Sequence, residues 1–442
     1  MTVSSENLGN RARCRIALRV LPLAFLMYVV SYVDRANLSF ANLRMSADLG
    51  FSDRIYGFGS GIFFIGYVLF EIPGAVIVER WSARKWMARI MLTWGAVTIV
   101  TAFIQTARQF YVARFLLGAA EASFFPGMIV YLTHWFRPSD RGKAIASFYA
   151  AIPSASEVGS LLASWLLNVH WSGIPGWRWI FVVEGVPAII LGIVALFYLT
   201  DRPQQARWLP EDERAWIMRE LEAELQAKKN ARQYTIWQAF CDKQVLLLIL
   251  PQFLHAFGAL SALFWIPTFL ERISGLPGPQ VALWVALPGF VGIAALLMNG
   301  WHSDKSGERR WHAAVPLLFA GVIYSLVAFT HSFPVVVSLL IAGGCFYAYY
   351  PAFWPMPATF LCESAAASCF ALINSIAHIG GFIGPWVVGY LNDSTKSMSA
   401  GFLFIGASYL LAGSVVLGIR IRTPQHNVRR VLLTKKALLE SS

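Results

Sequence analysis

Four charged side chains fall inside segments of the chain that are otherwise apolar enough to cross a membrane. Asp34 and Arg35 lie in the stretch VVSYVDRANLSFA, and Arg114 and Glu121 lie in YVARFLLGAAEASFFPG. A charge near the centre of a bilayer costs about 2.5–3.5 kcal/mol on insertion scales, so such residues usually face a partner, a cavity or a transport path. Two acid–base sets in one half of the chain therefore indicate a site that binds an anion and moves a proton.

The two arginines are candidate groups for binding an anionic substrate. A guanidinium group offers a planar fork that matches a carboxylate, and it keeps its charge in a dry cavity. The alternative is a structural ion pair, either Asp34–Arg35 or Arg114–Glu121. Because adjacent helical residues point about 100° apart, Asp34 and Arg35 cannot simply neutralise each other. We therefore expect Arg35 and Arg114 to contact substrate.

The two acids, Asp34 and Glu121, are candidates for proton coupling. Glu121 follows Arg114 by two helical turns on the same face, so the two residues share an environment without direct contact. Burial favours the protonated form of a carboxyl group and a nearby cation favours the ionised form. A cavity whose hydration changes with conformation would therefore switch protonation. The alternative is that one acid is structural and the other couples.

Other ionisable residues in the apolar segments are competing candidates. Glu71 and Glu184 stand beside Pro and Gly, where interrupted backbone hydrogen bonds need partners, so we expect structural roles for both. His255 and His378 are expected to be satisfied interhelical residues rather than proton relays. Glu157, in AIPSASEVGS, could tune either the substrate or the coupling.

The composition requires a membrane protein. The chain has 442 residues, of which 57% are hydrophobic and only 14% charged, whereas about 25% are charged in soluble domains. Every backbone amide in a spanning segment needs an internal partner, so the spans are predicted to be helices. Twelve are predicted, at 16–40, 56–78, 86–106, 109–133, 143–168, 178–200, 244–270, 281–301, 312–331, 334–360, 366–391 and 400–420.

The distribution of positive charge predicts the orientation. The chain has 36 Lys and Arg residues, most of them on the face that carries both termini. The positive-inside rule puts this face in the cytoplasm of a multi-pass inner-membrane protein. The net charge of +12 is thus an orientation signal and does not indicate nucleic-acid binding. The basic residues on the opposite face are Arg44, Arg54, Arg108, Arg178, Arg272 and Lys396.

A long polar connection divides the spans into two groups of six. Its middle, LPEDERAWIMRELEAELQAKKN, has acids leading and lysines trailing, as a helix dipole prefers. We therefore expect an amphipathic helix in a cytoplasmic linker. The predicted divisions are an N-terminal tail at 1–15, a six-helix bundle at 16–200, the linker at 201–243, a second bundle at 244–422 and a tail at 423–442.

Two similar loops follow the second and the eighth span. The first reads GAVIVERWSARKW and the second GWHSDKSGERRWH, so Glu79-Arg80 corresponds to Asp304-Lys305, with Arg309 further along the second loop. A short acidic–basic turn between helices can hold one side of a transporter shut and release it. The alternative is a loop that only determines membrane topology. The presence of two copies at equivalent positions argues against this alternative.

Twelve spans in two halves, these two loops and Arg114-x-x-x-Gly118 resemble the major facilitator superfamily over nearly the whole chain. SYVDRANLSFA, RFLLGAAEASFFPG, WRWIFVVEGVPAIILG and LINSIAHIGGFIGPWVVG resemble its anion:cation symporter family, in the branch of phthalate, tartrate, hydroxyphenylacetate and sugar-acid permeases. The resemblance implies two six-helix bundles of all-α fold. It also implies that Arg35 and Arg114 bind substrate and that Asp34 and Glu121 couple protons. The remaining positions onto which it carries binding roles are Tyr32, Tyr67, Trp354 and Asn374.

The function favoured by these patterns is proton-coupled import of a small organic carboxylate by alternating access. A uniporter or exporter of an organic acid on the same fold is the first alternative, and a polytopic membrane enzyme is a remote one. No H-E-x-x-H, G-x-S-x-G or P-loop pattern occurs, and the five Cys have no metal-ligand spacing. We therefore expect no cofactor and no metal. The expected partners are the lipid bilayer, the carboxylate and protons. The protein is expected to be a monomer.

Overall fold

The computed structural model describes residues 2–149, 151–229, 243–356 and 363–419. Within these ranges the regular structure consists of α-helices and three short 3₁₀ turns, with no β-strand. The predicted tail at 423–442 and residues 230–242 of the predicted linker lie outside the described residues. The helices before the linker are α1 (Thr2–Leu49), α2 (Asp53–Arg80), α3 (Ala83–Thr101), α4 (Ala107–Glu121), α5 (Phe124–Thr133), α6 (Pro138–Tyr149), α7 (Ala151–Leu166) and α8 (Gly176–Tyr198).

The linker and the second half are helical as well. The linker helix is α9 (Glu211–Lys229), where the amphipathic helix was predicted. The helices of the second half are α10 (Lys243–Ser274), α11 (Gly278–Ser306), α12 (Arg310–Val327), α13 (Phe333–Gly343), α14 (Tyr349–Phe353), α15 (Glu363–Thr395) and α16 (Ser399–Gly418).

Ten helical segments in the described ranges are long and apolar enough to cross a bilayer. The two other predicted spans, 86–106 and 143–168, are occupied by α3 and by α6 with α7. Helix α3 begins with a basic turn, and the α6–α7 segment is polar at its start, so neither is apolar along its whole length. The all-α membrane class predicted from composition is confirmed.

Glycine pairs allow close helix packing at equivalent places in the two halves. In the first half, a Cβ atom added to Gly95 of α3 would come within 2.8 Å of the carbonyl oxygen of Gly185 in α8. In the second half, one added to Gly321 of α12 would come within 2.9 Å of the carbonyl oxygen of Gly406 in α16. Small residues let backbones approach where apolar burial offers no driving force between helices. The two halves therefore use the same packing device.

Helix α9 is bound to the first half by ion pairs. Arg15 of α1 lies 3.2 Å from Glu213, whose side chain is buried. Arg141 of α6 lies 3.0 Å from Glu224. Helix α1 continues to Thr2, so the segment predicted as a tail at 1–15 extends the first membrane helix and supplies one side of this contact. The linker helix thus packs on α1 and α6.

The two halves are joined at the ends of the helices that are predicted to face outwards. Arg272 of α10 forms a two-pronged ion pair with Asp53 of α2, with nitrogen–oxygen distances of 2.5 and 2.7 Å. Deeper in, the Asn42 amide of α1 donates to the Thr268 hydroxyl of α10 at 2.9 Å. Along the interface α2 packs on α15, and α7 packs on α11. These contacts hold the two halves together at the predicted external end.

We predict that Arg272→Ala opens this end. An exposed ion pair contributes about 0–1 kcal/mol, so its loss should raise the population of the outward-open form up to about fivefold. The measurement is the rate at which an impermeant thiol reagent, added outside cells, labels Ser60→Cys in a background without native cysteines. Ser60 is buried and lies one turn inwards from Tyr56 on α2. Arg108→Ala, an exposed residue on the same predicted face, is the matched control; equal labelling rates in both variants would contradict the prediction.

Candidate functional site

The fourth membrane-spanning segment is interrupted directly after Glu121. Helix α4 ends there, Ala122 is extended with ψ 142°, and Ser123 has φ +67° before α5 begins. A non-glycine residue in this left-handed region is uncommon and tends to occur at functional sites. Pro126 lies in the first turn of α5, where its missing N–H is tolerated. Gly74 of α2 packs against the Ser123 side chain and leaves room for the break.

The tenth segment is interrupted at the corresponding place of the second half. Helix α13 ends at Gly343, and a 3₁₀ turn over Gly344–Ala348 leads into α14. Gly344 lies against the backbone of Pro288 in α11, where a Cβ atom would not fit. Spans are therefore present where 109–133 and 334–360 were predicted, but the sequence did not predict these interruptions. Interrupted helices at matching positions of two halves mark binding sites in transporters of repeated architecture.

Glu121, at the end of α4, accepts two hydrogen bonds from α1. Arg35 Nη2 donates to Glu121 Oε1 in a direct ion pair, and Ser31 Oγ donates to the same oxygen at 2.9 Å. Arg35 is 8% exposed and Glu121 is 1% exposed. Neither ion pair considered from the sequence, Asp34–Arg35 or Arg114–Glu121, is the one described. Removing one partner of such a buried pair typically costs about 3–5 kcal/mol, since the other charge is left uncompensated.

Aromatic rings surround the Arg35 guanidinium. Its central carbon lies 5.0 Å from the ring centroid of Tyr32, 5.6 Å from that of Tyr67 and 5.7 Å from that of Phe63. A guanidinium over an aromatic face is attracted by the ring's quadrupole, and more strongly where water is excluded. Two residues predicted to line a binding site, Tyr32 and Tyr67, thus contact Arg35. Phe63 was not predicted, although it lies four residues before Tyr67 on the same face of α2.

Arg114 is buried without a hydrogen-bond acceptor among the described residues. Its side chain is 0% exposed, and none of its three guanidinium nitrogens donates to a described group. Its central carbon lies 4.8 Å from the centroid of Phe63, the ring that Arg35 also approaches. A buried unpaired charge is costly and unusual in a protein interior. The guanidinium groups of Arg35 and Arg114 are therefore neighbours that share the Phe63 ring. Arg35 is bound to Glu121, whereas the donors of Arg114 are not used by any described group.

Asp34 is held inside the first half. Trp94 Nε1 of α3 donates to one of its carboxylate oxygens at 2.7 Å, and Asn37 Nδ2 donates to the other at 3.0 Å. Asp34 is 1% exposed. The two predicted proton-coupling acids therefore have different surroundings, since Glu121 has a cation as partner and Asp34 has neutral donors.

A second acid, Glu71 of α2, bridges to the second half. Asn374 Nδ2 of α15 donates to Glu71 Oε1 at 2.9 Å, and Ser375 Oγ donates to Oε2 at 3.0 Å. The ring of His378, one turn along α15, lies 4.7 Å from the ring of Tyr67. Asn374, predicted to bind substrate, thus lies near Tyr67, one of the rings beside Arg35. The sequence indicated a structural role for Glu71 but not its partner, and only its spacing of four residues from Tyr67 hinted that it faces the same side.

The other predicted residues lie in the second half or at the helix ends. Trp354 is half-buried at the end of α14, with its ring 5.6 Å from that of Phe353. Asp304 forms an ion pair of 2.6 Å with Arg309 within its own loop, which Gly307 closes at φ +68°. Lys305 is exposed. Of the first loop, Arg80 is exposed, and the side chain of Glu79 lies outside the described part of the structure.

Comparison with known proteins places the chain in a family. The model of the Major Facilitator Superfamily matches residues 24–385 and 275–439. A putative tartrate transporter of Agrobacterium vitis is 41% identical over 429 residues, which are 97% of this chain and 98% of that protein. The putative metabolite transport protein NicT of Pseudomonas putida is 36% identical, over 91% of this chain and 92% of its own length.

A solved structure agrees with the described fold. A bacterial homologue of the human lysosomal transporter Spinster, in an inward-facing and unoccupied conformation, is similar with a TM-score of 0.76 at 18% identity. The match covers 92% of this chain and 98% of that one. At this identity the likeness concerns the fold alone, and it confirms the predicted arrangement of helices in two bundles. The chain belongs to the major facilitator superfamily, and the protein is a multi-pass membrane transporter rather than an enzyme.

Proposed function

We propose that the protein imports a small organic carboxylate together with protons across the inner membrane. The observation that carries this proposal is the neighbouring pair of buried guanidinium groups, Arg35 and Arg114. Arg114 is fully buried and makes no hydrogen bond to any described residue. Its donors suit a carboxylate, which accepts two parallel hydrogen bonds from the planar fork of a guanidinium. A substrate anion that reaches Arg114 would compensate this charge.

Coupling follows from competition for Arg35. Glu121 occupies the Arg35 guanidinium in the described arrangement, and a substrate carboxylate offers the same chemical group. Protonation of Glu121 removes its negative charge and weakens its hold on Arg35, which then becomes free for the substrate. The proton and the anion therefore load together. In this scheme the Ser31 hydroxyl keeps Glu121 oriented while Arg35 changes its partner.

A dicarboxylate fits the two cations best. Two guanidinium groups beside the Phe63 ring offer one partner to each carboxylate of a short diacid, and the surrounding rings exclude water. The name of the 41% identical relative, a putative tartrate transporter, supports a diacid of this kind as substrate. Tyr32, Tyr67, Trp354 and Asn374 complete the cavity wall, since small-ligand sites combine apolar walls with a few placed polar groups.

The transport cycle rests on relative movement of the halves at 16–200 and 244–422. Both termini lie in the cytoplasm, as the positive-inside rule predicts, and the transporter acts as a monomer. Asp34 is the second proton-coupling acid. The residues of the two cytoplasmic loops that we propose to gate access are Glu79, Arg80, Asp304, Lys305 and Arg309.

We predict that Arg114→Leu strongly weakens substrate binding without destabilising the protein. Loss of a charge-assisted, two-pronged contact should lower tartrate affinity roughly 100-fold. Removal of an unpaired buried charge should leave the midpoint of thermal unfolding unchanged or raise it. The measurements are titration calorimetry and thermal unfolding of the detergent-purified protein, with Arg108→Ala on the same helix as the control. A lowered unfolding midpoint with intact tartrate binding would show that Arg114 is structural.

We predict that Glu121→Gln uncouples the transporter. Gln keeps the shape but not the charge, so Arg35 should bind tartrate without a proton. Tartrate exchange between the two sides of sealed proteoliposomes should persist, whereas accumulation driven by an imposed pH gradient should fall at least tenfold. Glu222→Gln, an exposed acid on α9, is the control. Wild-type uptake that ignores the pH gradient would favour a uniporter, and gradient-driven accumulation by Glu121→Gln would exclude Glu121 as the coupling acid.

A further inference from the structure

Glu157 of α7 is an acid at the interface between the two halves. Its side chain is half-buried, and both of its carboxylate oxygens are inaccessible and accept no hydrogen bond from a described residue. The carboxylate lies against Gly289 of α11, where an added Cβ atom would come within 2.0 Å of Glu157 Oε1. Buried polar groups nearly always have partners, and each exception needs an explanation. Neither the Arg35–Glu121 pair nor Arg114 gives this acid a partner.

The neighbours of Glu157 put it at the depth of the arginine site. Gly159, two residues further along α7, packs on Val33 of α1, with its Cβ position 3.7 Å from a Val33 methyl carbon. Val33 lies directly between Tyr32 and Asp34. Helices α1 and α7 pack on each other here. Glu157 precedes Gly159 by two residues, or about 3 Å along the α7 axis, so it lies close to the level of Tyr32 on α1.

The second half closes around the same place. Ser160 Oγ of α7 donates to the carbonyl oxygen of Ala282 in α11 at 2.9 Å. Gly292, one turn after Gly289, lies against the ring of Tyr347, which belongs to the interrupted tenth segment. Glu157 thus lies where α7, α11 and the interrupted helix meet.

The chemistry of the carboxylate limits what it can bind. An ionised carboxylate accepts hydrogen bonds and cannot donate them. Among the described residues, no basic side chain forms an ion pair with Glu157. It would repel the carboxylates of an organic acid, for which Arg35 and Arg114 already provide partners. The groups of a small acid that would suit Glu157 are therefore its hydroxyls, whose hydrogen bonds to a charged acceptor are short and strong.

We propose that Glu157 accepts hydrogen bonds from substrate hydroxyl groups and so selects hydroxylated dicarboxylates over plain ones. This proposal rests on the proposed function, because it assumes that the substrate carboxylates bind the two arginines. A site built to hydrogen-bond a hydroxyl discriminates strongly against an analogue that lacks it, since its own buried acceptor is then left without a partner.

The test uses four-carbon diacids that differ only in substituents. Tartrate has two hydroxyls, malate has one and succinate has none, while aspartate has an ammonium group. Affinities are measured by titration calorimetry for the wild type, Glu157→Gln, Glu157→Leu and the exposed control Glu222→Gln. We expect wild-type affinity to fall from tartrate through malate to succinate. The tartrate-to-succinate ratio should fall about tenfold or more in Glu157→Leu, and less in Glu157→Gln, whose amide oxygen is a weaker acceptor.

Each outcome decides a separate question. Unchanged ratios in both Glu157 variants, with the diacids still bound, would overturn this proposal and leave the proposed function standing. A wild-type preference for aspartate over tartrate would also overturn it, because the carboxylate would then select an ammonium group. Absence of binding of any diacid to a wild type that unfolds cooperatively would overturn the proposed function, and this proposal with it. Succinate binding by the variants shows that they are folded.

Discussion

The cost of removing charge from water governs this molecule. Two guanidinium groups lie beside a single phenylalanine ring, and one of them is paired with a carboxylate, in a region where each isolated charge would be strongly unfavourable. The protein compensates one guanidinium with Glu121 and leaves the donors of the other unused by described groups. In the proposed function, this difference between the two arginines lets the site respond to an anion and a proton. A fully neutralised cluster would need neither an anion nor a proton, and it would favour one conformation throughout.

Helix breaks occur in both halves. The break after Glu121 ends α4 at the residue that pairs with Arg35 of α1, and the 3₁₀ turn before α14 gives the second half an equivalent discontinuity. Continuous helices satisfy their own backbone groups and offer little to a polar ligand. An interrupted helix can instead offer its free backbone groups and nearby side chains to a ligand. The surrounding helices remain regular, and paired glycines fix the distances within each half.

Much of the class and part of the site could be predicted from the sequence. Apolar length, loop charge and the placement of Arg35, Arg114 and Glu121 inside spans are properties of the chain alone. The pairing of Arg35 with Glu121 is not, because it depends on how α1 and α4 are rotated about their axes, and packing sets that rotation. The same holds for Glu71 and Asn374, which lie on different halves. The break at Ser123 was also missed, since EASFFPG contains a proline that is equally compatible with a continuous apolar span.

Gly74 has a mechanical consequence. It lies on α2 beside Ser123, and Glu71, which holds Asn374 of the second half, is less than one helical turn away. Pro73 lies between them, and an interior proline removes a backbone hydrogen bond of the helix, so both contacts are made at a bend-prone point of α2. The contact with the backbone break at Ser123 and the hydrogen bonds between the halves thus lie three positions apart on α2. Under the proposed function, a change of partner at Glu121 would therefore reach the contact between the halves through this part of α2.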